Sequence, residues 1–136
     1  MMFMTQRQRV PDSSGGEAKG ASKPSLEELR DALRRFAAER DWDQFHFPKN
    51  LAIALSVEAA ELLEHFQWLP DLESAAPPAE TRAKIREELA DVLLYLIRLA
   101  DKLDIDLAAA AFDKMAVNAG KYPVPGLSQR RSAGSG

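Results

Sequence analysis

Between residues 25 and 122 the apolar side chains recur at helical spacing, with little strict alternation. That pattern predicts an all-α chain. Ser25 followed by Glu28 forms a capping box at the start of the first helix. Leu26, Leu29, Leu33 and Phe36 follow on one face, and the helix is expected to fade near Arg40 and Asp41. A short segment, residues 42–47, leads to Pro48, which suits the first helical position because its missing N–H costs nothing there. The second helix is expected to run to about Leu69, before Pro70, with Leu51, Leu55, Ala59, Leu62 and Phe66 as its stripe. After a linker containing Pro77 and Pro78, a third helix spans about 79–103, its stripe Ile85, Leu89, Val92, Leu93, Leu96, Ala100 and Leu103. Asp106 caps a fourth helix that reaches Ala119, with Gly120 at its end. Four helices with short links predict an antiparallel four-helix bundle. Leu93, Leu94, Leu96, Ile97, Leu99 and Ala100 exceed one stripe, so part of that face should be covered by another subunit.

The rest of the chain reads differently. Residues 1–23 are poor in aliphatics and rich in Gly and Ser, and 123–136 are similar; both are expected to be disordered tails around a domain at 24–122. No apolar run approaches a membrane span, and the first residues lack the apolar core of a secretory signal, so a cytoplasmic protein is expected. The absence of cysteine excludes disulfides, thiolate zinc sites and a cysteine nucleophile. Of the charged residues, 12 basic and 19 acidic ones lie in 24–122, a net of −7, while the tails are net basic. An acidic body argues against a groove for polymeric nucleic acid and suits a ligand that arrives with divalent cations, although it also serves plain solubility.

Two acidic pairs stand out. Glu58 and Glu61 are three apart on the second helix, which puts both carboxylates on one flank of the apolar stripe, while Glu64 points away. Glu88 and Asp91 repeat the spacing on the third helix, and Tyr95 shares their flank. If the two helices pack antiparallel, four carboxylates converge. Such a cluster repels itself unless cations enter, and Mg²⁺ with its preference for oxygen ligands would relieve the repulsion and offer a place for a triphosphate. The plain alternative is a solvated acidic flank, with Lys84 pairing with Glu88 one turn away.

The two pairs, Glu58-Ala-Ala-Glu61 and Glu88-Leu-Ala-Asp91, resemble the ExxE…ExxD signature of the MazG-like, all-α nucleoside triphosphate pyrophosphohydrolases. The segment from Phe36 through Arg40-Asp-Trp to His46, the tripeptide Phe66-Gln-Trp68, the run Glu88 to Tyr95 and the stretch Lys114 to Tyr122 resemble its dCTP pyrophosphatase branch, over about residues 25–123. The resemblance implies Mg²⁺-dependent hydrolysis of dCTP or modified deoxycytidine triphosphates to the monophosphate and pyrophosphate, by a homotetramer built from dimers. It implies Glu58, Glu61, Glu88 and Asp91 as metal ligands, with Glu61 taken as the general base. Trp42, Trp68 and Tyr95 match aromatic positions around the base, where stacking is chemically apt, though either tryptophan would also serve to plug a bundle end. Asn118 offers an amide for a base edge or a phosphate, and Lys121 a phosphate clamp, against the plainer role of a lysine at a helix C-terminus. His46, beside Phe47-Pro48, is expected to shape the turn. Two departures bear on selectivity: Val57 replaces an additional Glu of many members, and Leu33 stands where some members of the branch carry a His. Two further readings remain open, a broad-specificity house-cleaning pyrophosphohydrolase and a non-catalytic helical oligomerisation module.

Overall fold

The computed structural model describes residues 22–126; the expectations for most of both tails lie outside the described residues. Among these, the regular structure is five helices: α1 (Leu26–Glu39), α2 (Pro48–Glu64), α3 (Asp71–Ser74), α4 (Ala79–Lys102) and α5 (Leu107–Lys121). The all-α reading is correct. α1 starts as the sequence predicts: Ser25 Oγ accepts from the Glu28 N–H, and the Glu28 carboxylate accepts from the Ser25 N–H at 2.9 Å. Pro48 opens α2.

Three boundaries differ. α2 ends at Glu64 rather than near Leu69, because the approach to Pro70 tightens into turns: the N–H groups of His65, Phe66 and Leu69 each donate to the carbonyl three residues back. The proline-rich linker contains a one-turn helix, α3. Gly120 lies inside α5, which continues to Lys121.

The chain divides into two compact units between Asp104 and Ile105. In the first, α4 packs against both α2 and α1. Leu51 and Ala54 of α2 share a buried cluster with Tyr95 of α4, with Leu55 and Leu99 packed against it. Farther along α2, Glu58 and Glu61 meet Glu88 and Asp91. As α2 numbers rise, their α4 partners fall, so the two helices are antiparallel. Leu51 is 1% exposed and anchors this core. The predicted stripes are only partly buried: Ala59 and Leu89 are exposed, and Ile53, Val57 and Leu93 also keep apolar surface open. Among the described residues, α4 packs mainly against α2 and α1.

Left-handed backbone closes α1. Arg40 is the C-cap, Asp41 takes φ 53°, the Asp41 N–H donates to Ala38 O and the Trp42 N–H to Ala37 O at 2.9 Å. This is the Schellman arrangement, with aspartate in the position glycine usually fills. It turns the chain so that Trp42 comes back over Ala37.

In the second unit, Asp106 caps α5 by accepting from the Ala109 N–H at 3.0 Å. No residue of α5 is buried; Phe112 and Met115 are 74% and 66% exposed.

Candidate functional site

The antiparallel register brings the two ExxE and ExxD pairs together. Glu58, Glu88 and Asp91 each offer a carboxylate oxygen, and these oxygens lie within 4.8 Å of one another. Glu61 is outside that set but belongs to the cluster: its charge acts on Glu58, Glu88 and Asp91. Glu64 is exposed on the other side of α2, as its helical position requires.

No lysine or arginine among the described residues pairs with any of these four groups. Lys84, expected as a partner for Glu88, instead reaches Glu80 at 3.4 Å. His65 Nε2 stands 3.9 Å from Glu88. The acids therefore carry their mutual repulsion largely uncompensated. Burial, the hydrogen bond with Glu61 and the charges of Glu61, Asp91 and Glu88 push the Glu58 carboxyl up to about 7. Burial, then Glu61 and Asp91, raise Glu88; burial, then Glu61 and Glu87, raise Asp91. An all-oxygen donor set with excess negative charge fits a hard divalent cation, whose ligand oxygens sit about 2.0–2.6 Å from the ion. Oxygens already within 4.8 Å need only small side-chain rotations to close on one.

The raised values fix a pH dependence. An acid that binds its proton more tightly folded than unfolded stabilises the fold at low pH, and that stability is lost as pH rises from the ordinary carboxylate range through the folded value. For Glu58 the window runs from 4.5 to about 7. Because the cluster is partly solvated, the loss is expected to be on the order of 1–2 kcal/mol. Urea unfolding of the metal-free protein at pH 5 and pH 8 is expected to show the lower midpoint at pH 8, and added Mg²⁺ should restore it. A midpoint that rises with pH in chelator would contradict an uncompensated acid cluster.

A second feature adjoins the first along α4. Tyr95 follows Asp91 by one helical turn, a rise of about 6 Å. It lines a small, narrow pocket with Leu33, Phe36, Ala37, Trp42, His46, Leu94 and Arg98. The Schellman turn delivers Trp42, whose ring meets Phe36 edge-on at 5.4 Å and lies 6.0 Å from His46. Tyr95 is itself 6% exposed, part core and part wall. Leu33, the position where the sequence departs from some relatives, is a pocket wall.

Trp68 is not brought into this group; it is 85% exposed in the turn after α2. Asn118 and Lys121 lie on α5 in the second unit, both exposed.

Sequence reasoning missed Arg98. It is 5% exposed, and its guanidinium pairs with Asp43, donates from Nε to His46 Nδ1 at 3.1 Å, and lies 3.6 Å from Asp101. Lys102 adds a bond to Asp43 at 2.8 Å, and Arg34 one to Asp101 at 2.8 Å. The signal was present: a single arginine inside Leu93–Ala100, an otherwise apolar run apart from Tyr95, needs buried partners. These bonds tie Asp43 and His46 to α4.

The chain matches the MazG-like family over residues 53–135. It is 50% identical over 105 residues to dCTP pyrophosphatase 1 of Mus musculus, covering 75% of this chain and 61% of that protein. To dCTP pyrophosphatase 1 of Homo sapiens it is 46% identical over 124 residues, 84% of this chain and 72% of the human protein. The chain thus spans somewhat less than two thirds of the mouse relative and somewhat more of the human one. A crystal structure of a pyrophosphatase from Archaeoglobus fulgidus superposes with a TM-score of 0.70 at 42% identity, over 76% of this chain and 97% of that one.

Proposed function

The chain belongs to the MazG-like family, and from that premise we propose that it hydrolyses dCTP or modified deoxycytidine triphosphates to the monophosphate and pyrophosphate, with Mg²⁺ as cofactor. The observation that carries this is the pairing of an uncompensated acid cluster with an aromatic pocket one turn farther along the same helix. The relatives named dCTP pyrophosphatase support the choice of nucleotide.

In this reading Glu58, Glu61, Glu88 and Asp91 hold the metal. When bound, the ion neutralises charge on phosphate oxygens and makes water a better nucleophile. Glu61 accepts the proton of the attacking water. Trp42 and Tyr95 take the base between aromatic faces, each contact worth about 1–3 kcal/mol, and Trp68 completes the aromatic set. Asn118 addresses a base edge and Lys121 a phosphate. Residues 24–122 form the catalytic domain, and the enzyme works in the cytoplasm without polymeric nucleic acid or membrane. It assembles as a homotetramer of dimers; the open apolar side chains Ile53, Val57, Leu89 and Leu93, and those of α5, support a shared interface.

A panel of the canonical triphosphates plus 5-substituted deoxycytidines, assayed with Mg²⁺ for pyrophosphate against orthophosphate, tests the proposal. Deoxycytidine triphosphates are expected to give the highest kcat/KM, with pyrophosphate as product. Release of orthophosphate, or no turnover of any nucleotide, would overturn it.

A further inference from the structure

Leu29, Ala32, Leu33 and Phe36 of α1 and Leu94 of α4 line an open groove. All five side chains are apolar; Ala32 and Phe36 are exposed, and Leu29, Leu33 and Leu94 are half-buried. An apolar strip left in water forgoes the stabilisation that a cover would bring, and such strips mark contact sites. None of the five is among the open side chains assigned above to the shared interface. Leu33, Phe36 and Leu94 also line the aromatic pocket, so an occupant of the groove borders that pocket.

The chain carries a segment suited to cover it. Met1-Met2-Phe3-Met4 is a run of four large apolar residues, followed by residues 5–21, in which Val10 is the one large aliphatic. Methionine is unbranched and polarisable, so it follows an irregular apolar surface and packs well against an aromatic ring such as that of Phe36. Position matters as much as chemistry. The described chain enters α1 from residue 22, and the groove begins one turn into that helix. From residue 22 to Leu33 the path is at most about 25 Å, three extended steps and then eight helical rises. Residues 5–21 hold three glycines and two serines. A Gly/Ser-rich tether of that length has a root-mean-square span of about 20–25 Å. Tether and distance match, the condition under which effective concentration is highest, on the order of millimolar. Charge assists: residues 1–23 hold four basic and two acidic residues, and the body at 24–122 is net −7.

We propose that Met1–Met4 of this chain docks in the α1–α4 groove over Leu29, Leu33, Phe36 and Leu94, and that the docked segment forms part of the wall of the adjoining aromatic pocket. The docking rests on the groove and the tether alone; its effect on nucleotide binding rests on the pyrophosphohydrolase reading.

The test uses the full chain. The sequence has no cysteine, so Thr5→Cys gives a single attachment point for a nitroxide beside the apolar run. Methyl NMR of the metal-free, nitroxide-bearing protein is expected to show Leu29, Leu33 and Leu94 broadened well beyond Leu72, which lies in α3 outside groove and pocket. Combining Phe3→Ser and Met4→Ser in the same chain should abolish the excess broadening, with an unshifted Leu51 signal reporting an intact core. Broadening that is absent, equal at Leu72, or unchanged by the double substitution overturns the inference. In a mixture of isotope-labelled protein without nitroxide and unlabelled protein bearing it, broadening at the groove would assign the occupant to a second copy and overturn it as well. So would groove signals that shift with protein concentration alike in wild type and double variant. With dCTP and Mg²⁺, the double variant is expected to raise KM about 3- to 10-fold with kcat unchanged; an unchanged KM overturns the role as a pocket wall. A wild type that turns over no nucleotide would overturn the enzymatic reading, while the NMR result would still judge the docking.

Discussion

Replacing Asp91 by asparagine is expected to lower Mg²⁺-dependent pyrophosphate release by about 10³-fold or more while leaving the protein helical. Asn keeps the shape and one oxygen, but removes the charge that attracts a cation and leaves a weaker, neutral oxygen donor among the three groups gathered within 4.8 Å. A metal's stabilisation of developing phosphate charge is worth several kcal/mol, and about 4 kcal/mol corresponds to a factor of about 10³. The same change relieves repulsion in the metal-free cluster, where Asp91 helps raise Glu58 and Glu88. The metal-free variant should therefore unfold at equal or higher urea than the wild type at pH 8. Loss of activity with retained or improved stability separates a metal ligand from a residue that holds the fold. Glu61→Gln is expected to behave alike. Full turnover in either variant would remove the metal site from the account.

Arg98→Ala is expected to destabilise the protein by about 2–3 kcal/mol in urea unfolding. The guanidinium is nearly inaccessible and serves Asp43, His46 and Asp101 at once. Removing one partner of a buried charge pair leaves the other uncompensated, at a cost of about 3–5 kcal/mol when both are fully buried. Here the figure is smaller, because Lys102 still meets Asp43 and Arg34 still meets Asp101. The variant should also free residues 43–46 from α4, which hydrogen exchange at their amides would report as lost protection. Unchanged stability would mean that the two flanking cations carry the cluster alone.

Much of this architecture was legible in the residues. Helix starts were set by local chemistry: the reciprocal bonds of Ser25 and Glu28, Pro48 at the first helical position, the Asp106 cap. Those interactions span three residues or fewer, so no distant part of the chain decides them. Helix ends were harder to read. α2 stops before its apolar pattern does, since Pro70 constrains the backbone ahead of it, and α1 ends on an aspartate with φ 53° where glycine would have announced the stop. The stripes overstated burial, because periodicity shows which face is apolar and says nothing about what lies opposite it. Leu89 was placed correctly on its helix face and is nonetheless exposed.

What the sequence alone determined is the pair of acidic flanks, since the pitch of a helix fixes the angle between residues three apart. That both flanks meet, and that Asp91 and Glu88 add their charges to the burial and the Glu61 neighbour that raise Glu58, are decided by the packing of α2 against α4. The pocket owes still more to tertiary structure. Its walls come from α1, the turn after it and α4, and the bond between Arg98 and His46 joins residues 52 positions apart. Local spacing carries angular information for about one turn; side chains that meet across packed helices depend on how the whole unit closes.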